Sequence, residues 1–277
     1  MGNALSGHDR IAALNERHWT WAVESGVGFT IPWLDLDRDL LHTYARGELR
    51  EVPARLEDIY PASVLASVEG SDVLCLASGG GQQSAVFGLL GTRVTVFDLT
   101  EAQLEGDRTA AAHYGYGLTT IQGDMRDLSR LPDAAFDLVY QAESMSWVPD
   151  ARQVYRGVAR VLRPGGRYRV SFTNPTAEFI EMDSWDGEGY RITVPYEVTE
   201  QTLPCDEGGP DSVQFRHPMS EIFNGLLELG LMIEQVQDWP YYFRRGASAE
   251  PGSWEHYLRY VGGFAIVARK WQDGIQP

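Results

Sequence analysis

The sequence predicts an α/β fold: a doubly wound, mostly parallel seven-stranded sheet with an N-terminal helical extension and one insertion. Three observations point there. Short apolar runs alternate with helical segments from residue 73 to residue 172. Three glycines in a row, Gly79-Gly80-Gly81, close the first of these runs. The second run, "RVTVFD", ends on an acid, Asp98.

Residues 1–68 carry helical spacing and no strand alternation. "RIAALNERHWTWAVESG" and "LDRDLLHTYARGEL" each place apolar residues on one face and break at Gly26 and Gly47. Val73 to Ala77 is a short apolar run, as in a strand buried on both faces. The glycine turn follows, then a helix from Gln82 to Leu90 stopped by Gly91, then the strand Arg93 to Phe97. Glu101 to Tyr114 is a helix broken at Gly115, "LTTIQGDMRDL" a third strand and polar turn, and "AFDLVYQ" a fourth strand. A helix from Asp150 to Leu162 leads to Arg163-Pro164-Gly165-Gly166, expected as a turn, and to a fifth strand from Arg167 to Phe172. Residues 174–218 break the rhythm with five prolines and many acids, as an insertion over the sheet's carboxyl edge would. The helix "SEIFNGLLELG", the strand "LMIEQVQDW", an aromatic connector and the strand "GGFAIVARK" complete the chain. Without a crossover helix before it, the last strand is expected to enter antiparallel.

Bulk properties narrow the partners. A net charge of −16 with scattered Lys and Arg argues against nucleic acid, which requires a clustered basic footprint. No apolar run approaches a membrane span, no leader pattern opens the sequence, and two cysteines give neither a disulfide framework nor metal spacing. A cytoplasmic protein without a metal is expected. Met1-Gly2-Asn3-Ala4-Leu5-Ser6 matches the myristoylation pattern, with no polybasic second signal behind it.

A glycine turn, a helix start and an acid on the next strand's tip form a nucleoside site. The dinucleotide fingerprint is incomplete, because the position of its third glycine holds Ser84. The motif alone leaves NAD and other nucleosides open.

The order glycine turn, "FDLT", "GDM", "FDLVYQ" and "VLRPGG" resembles the class I S-adenosylmethionine (SAM)-dependent methyltransferases from about Asp72 to Phe172. "CLASGGGQQ" also looks like a bacterial, type 11-like subgroup of small-molecule or uncharacterised methyltransferases. The resemblance implies a Rossmann-like methyltransferase domain over 69–277, a helical cap over 1–68 joined by the insertion 174–218, and SAM as methyl donor with S-adenosylhomocysteine as product. It implies that Ala77, Ser78, Gly79 and Gly81 face the methionine moiety and that Asp98 accepts from both ribose hydroxyls, with Leu99 beside it. It further implies that Asp124 accepts from the adenine amine, that Met125 packs on the ring, and that Gln141 lies beside the methionyl group. Cys75 stands where the family has an acid, and Ala77 where it has the first glycine, which leaves the methionine ammonium without its usual partner. Gln82, Gln83 or the N-terminal helices are the candidates to replace it.

In-line methyl transfer requires a base only when the acceptor must lose a proton. Glu143, just beyond the fourth strand, and His217, after the insertion, are the candidates; His18 and His113 are weaker, and His113 sits within a crossover helix. Aromatics cluster in three segments expected to meet above the carboxyl edge, and Trp19, Trp185 and Tyr190 are the expected walls of a small-molecule acceptor pocket. A non-catalytic nucleoside binder on the same fold and an NAD-dependent dehydrogenase are the alternatives.

Overall fold

The computed structural model describes residues 7–205, 208–239 and 249–272. The myristoylation match and the connector aromatics beyond Trp239 lie outside these residues. The seven-stranded sheet has the order β3-β2-β1-β4-β5-β9-β8. It comprises β1 (Asp72–Leu76), β2 (Arg93–Asp98), β3 (Leu118–Gln122), β4 (Phe136–Gln141), β5 (Leu162–Thr173), β8 (Leu231–Asp238) and β9 (Gly263–Lys270). Strands β1 to β5 run parallel, and β9 is antiparallel to both β5 and β8.

Alternation along β1 sets the two layers. Leu74 and Leu76 face a core completed by α6 (Ala151–Val161) and α7 (Met219–Glu228). Val73 and Cys75 face the other core, shared with α4 (Gln83–Leu89), α5 (Glu101–Tyr114) and α2 (Arg38–Ala45). Both faces are dry, which is why the central strands read as continuous apolar runs. The N-terminal extension is helical as expected, with α1 (Gly7–Glu24), α2 and α3 (Ala54–Glu57).

Two expectations need correction. Arg163-Pro164-Gly165-Gly166 is not a free turn but an irregular start of β5. The register slips between Phe136 and Leu138, and Gly165 absorbs the slip at φ +79°. The insertion also contains a two-stranded antiparallel hairpin, β6 (Glu200–Leu203) and β7 (Ser212–Phe215). Finally, a helix, α8 (Trp254–Val261), precedes β9 and stops at Gly262, whose φ is +68°. The strand is antiparallel as expected, although the stated reason, a connection without a helix, does not hold. Among the described residues, no helix is long and apolar enough to cross a membrane.

Candidate active site

The glycine turn is pinned from both sides. Asp98 is buried, and its two oxygens accept from the backbone N–H groups of Gly79 (3.1 Å) and Thr100 (2.9 Å). A Cβ on Gly79 would fall 2.9 Å from Asp98 Oδ2 and 2.5 Å from Gln103 Cβ, so only glycine lets the acid approach the turn. Asp98 forms no ion pair among the described residues, and burial pushes its carboxyl up to about 6 against the two N–H donors.

On the far side, α5 contributes Asp107, a buried acid that sequence inspection does not single out. Its Oδ1 accepts from Gly81 N (3.1 Å) and from Ser84 Oγ (2.5 Å), and burial pushes it up to about 7. Ser78 is buried, Leu99 is half-buried, and Ala77 takes a left-handed φ of +45° at the strand's exit. The expected roles of the two glutamines diverge. Gln82 Nε2 donates to the carbonyls of Phe29 (3.0 Å) and Ile31 (2.8 Å), and Trp33 N donates to Gly81 O (3.3 Å). Gln82 is therefore a clasp that lays the N-terminal segment across the turn. Gln83 Oε1 and Gln103 Oε1 are buried acceptors with no hydrogen-bond partner among the described residues.

At the tips of β3 and β4 the remaining cofactor candidates are tightly held. Asp124 is half-buried and accepts from Arg126 N (2.9 Å) and Nε (2.8 Å). Met125 is buried, and its sulfur accepts from Gln141 Nε2 (3.3 Å). Gln141 also donates to Ser144 Oγ (2.9 Å) and accepts from the Tyr168 hydroxyl. Its backbone carbonyl accepts from Arg169 Nη1 (3.0 Å). Arg169 is a buried cation whose guanidinium lies 4.6 Å from the ring centroids of both Tyr60 and Tyr140.

Two residues beyond Gln141, a narrow cleft opens between the tips of β4 and β5 and the insertion. Its enclosed space is about 10 Å³, room for about one water molecule, and its polar lining includes Glu143, Thr173, Glu178 and His217. Glu143 is exposed at the mouth of the cleft, and desolvation by the surrounding protein raises its carboxyl to about 7, against the Thr173 hydroxyl at 3.0 Å and the field of Arg169. Glu178, absent from the sequence-based candidates, is pushed up to about 8 by burial first and by Glu143 second. His217 donates from Nε2 to Met145 O (2.8 Å), and burial lowers its affinity for a second proton.

The aromatic candidates separate into two groups. Trp19 packs 5.0 Å from Trp147 and 5.7 Å from Phe29, and His18 stacks on Trp147 while its Nδ1 donates to Pro210 O (2.9 Å). Trp185 and Tyr190 instead contact each other and α8, through His256 and Tyr260. None of Trp19, Trp185 and Tyr190 lines the cleft, so the single meeting point expected for these aromatics is two clusters. His113 is exposed on α5 against Tyr114.

Residues 74–170 match the model of a methyltransferase domain. The chain is 28% identical over 240 residues to the uncharacterized methyltransferase YbaJ of Bacillus subtilis, covering 83% of this chain and 89% of that protein. It is 32% identical over 232 residues to a ubiquinone biosynthesis O-methyltransferase of Xanthomonas axonopodis, covering 83% and 88%. Its fold matches an S-adenosylmethionine-dependent methyltransferase of Mesorhizobium loti with a TM-score of 0.59 at 22% identity, over 86% of this chain and all of the other. Sheet order, glycine turn and full-length similarity agree: the chain belongs to the S-adenosylmethionine-dependent methyltransferases.

Proposed function

We propose that this methyltransferase acts on a hydroxyl group of a small organic acceptor, held in the cleft between Glu143 and the 174–218 insertion. The observation that carries this reading is the buried Asp98 locked to the glycine turn one strand away from a cleft lined by acids. The residues present suit SAM. Asp98 is an unpaired carboxylate for the ribose hydroxyls, and the glycines leave a cradle that a Cβ would fill. Gln83 Oε1 and Gln103 Oε1 supply unmet acceptors for an ammonium in place of the acid that Cys75 replaces. Asp124 and Met125 would hold the adenine, with Arg126 fixing the Asp124 carboxylate, and Arg169 would keep the Gln141 tip rigid.

When bound, SAM supplies an electrophilic methyl group on a sulfonium. The chain's part is to orient the acceptor, exclude water and take a proton. Glu143 suits the last task, because a carboxyl near 7 is matched to working pH. His217 is better placed to hold the Met145 carbonyl, since its one N–H is engaged there. Similarity to an O-methyltransferase supports oxygen as the attacked atom. The cleft is narrow, with Glu178, Phe215 and His217 of the insertion in its wall, so an acceptor enters by displacing that wall. Residues 1–68 and 174–218 thus act as a joint cap on the domain, and the acidic surface disfavours nucleic acid as substrate.

Calorimetry with SAM, S-adenosylhomocysteine and NAD, followed by turnover on a panel of hydroxylated small molecules, tests this. SAM and its product should bind without NAD, and Asp98→Ala should weaken them by roughly 1.5–3 kcal/mol, about ten- to a hundred-fold. Unchanged affinity in the folded variant removes Asp98 from the site. Binding with no turnover on any acceptor favours a non-catalytic binder.

A further inference from the structure

We propose that helix α1 gates the cofactor site: one turn of it, Asn15 to Trp19, bolts the site shut, and S-adenosylhomocysteine leaves only when that turn lifts. This deepens the function proposed above and rests on its placement of the cofactor at Asp98 and the glycine turn. It does not depend on which acceptor the cleft takes.

That single turn reaches each wall of the site. Glu16 Oε1 accepts from Gln122 Nε2 (3.1 Å), and Gln122 is the residue that pairs with Asp98 across β2 and β3. The same Nε2 donates to Leu99 O (3.1 Å), so α1 is tied to the strand tips beside the ribose acid. Asn15 Nδ2 donates to Trp147 O (3.2 Å) in the turn after β4, and His18 stacks on the Trp147 ring with centroids 5.6 Å apart. Trp19 meets Phe29 edge-on, and the Phe29 carbonyl is held against the glycine turn by Gln82. The insertion is caught as well, through Asn15 on the Val213 backbone and His18 on Pro210 O. One turn further, the Trp21 ring lies so close to Gly209 that a Cβ there would fall 2.4 Å from it.

Hydrogen bonds and ring edges, not a shared apolar core, hold this turn in place. Among the described residues, α1 contributes to neither of the two cores that flank the sheet. Asn15 is buried, and its amide is engaged by backbone groups of Trp147 and Val213. A segment fixed in this way opens locally at far less cost than the central strands, whose apolar side chains fill both cores. The bolt is therefore the part of the site that yields. Because it also holds β7, the motion that frees the cofactor loosens the insertion.

The test measures entry and exit of labelled S-adenosylhomocysteine on the full chain, by rapid mixing and by chase with unlabelled ligand. Loosening a bolt that is shut with and without ligand speeds entry and exit alike and leaves Kd within about twofold, whereas removing a ligand contact speeds exit alone. Asn15→Ala should raise both rate constants at least about fivefold, and Glu16→Ala at least about twofold. Arg17→Ala, on the exposed side of the same turn, should change neither. Faster exit with unchanged entry would make the turn part of the binding surface, and unchanged rates in folded variants would make α1 a fixed element; either result overturns the gate. Hydrogen exchange on the wild-type chain saturated with S-adenosylhomocysteine provides a reading that needs no variant. Amides of α1 should exchange by local opening, well before those of β1 and β4, and exchange of all three together also overturns the gate. Asp98→Ala separates the two failures: unchanged affinity there defeats the placement of the cofactor, while weakened affinity confines the failure to the gate.

Discussion

Asn15 and Val213 exchange two hydrogen bonds across 198 residues of sequence, Asn15 Nδ2 to Val213 O at 3.1 Å and Val213 N to Asn15 Oδ1 at 3.0 Å. The side chain thus acts as a strand partner for β7. Its Nδ2 also donates to Trp147 O (3.2 Å), tying α1 to the insertion and to the short turn after Glu143 at one point.

Asn15→Ala should strand the buried amide and carbonyl of Val213, at a cost of about 1–3 kcal/mol. If the tied segments are a joint cap, turnover on an identified acceptor should fall by at least about tenfold while S-adenosylhomocysteine affinity stays within a factor of two. Thermal unfolding, calorimetry and steady-state rates read the three quantities. Normal turnover in a destabilised variant would make the clasp purely structural.

The proposed cofactor site predicts a pH dependence of binding. Burial holds the free Asp98 carboxyl near 6, and ribose hydroxyls donate only to its ionised form as a bidentate acceptor. Affinity for S-adenosylhomocysteine should therefore be flat above about pH 7 and fall up to tenfold per unit below pH 6, with proton release on binding in that range. Asp98→Asn should bind weakly and lose the slope. An unchanged slope in that variant would assign it to another group.

Much of the sheet was legible because physics leaves few readings of its pieces. Leu74 and Val73 face opposite cores, so β1 must be apolar throughout, and Asp98 must stand beside glycine because a Cβ at Gly79 would collide with it. Pro164 and Gly165 look like a turn, since proline and glycine mark turns more often than the bulged start of a strand. Glu178 and Asp107 gave no local signal. An acid in an irregular insertion and one within a helix both resemble solvated surface, and only the tertiary fold buries them. The aromatics were visible but not their partners: the pairing of Trp185 with α8 depends on a helix that reads as a connector.

Asp107 should act on the cofactor without touching it. Asp107→Ala leaves Gly81 N and Ser84 Oγ without their acceptor and frees the turn that presents Gly79. S-adenosylhomocysteine should bind roughly tenfold more weakly, on the scale of about 1–3 kcal/mol for a stranded buried donor, here Gly81 N and Ser84 Oγ. Asp107→Asn keeps an acceptor oxygen at that place and should recover most of the affinity. Equal losses in the two variants would show that charge, not the hydrogen bonds, is what the turn requires.

The raised carboxyls predict an inverted pH profile of stability. Asp98, Asp107, Glu143 and Glu178 are all raised in the folded chain, to about 6, 7, 7 and 8, each by desolvation first. A raised carboxyl binds its proton more tightly when folded. Its contribution is complete below the unfolded value near 4 and is lost as pH rises through the folded value. Asp72 works in the opposite sense: hydrogen bonds from Arg93 lead the causes that lower it to about 2, so its contribution fades only in strong acid. The ligand-free chain should accordingly melt at a higher temperature at pH 5.5 than at pH 8.5. Asp107→Asn and Glu178→Gln should each flatten that slope, because a neutral side chain replaces a group that must otherwise ionise inside the protein. Melting curves recorded across that interval decide the matter. A melting temperature that rises toward pH 8.5 would mean that these carboxyls are ionised at little cost, and that cations now committed to backbone carbonyls, Arg169 and Arg216, reach them in solution.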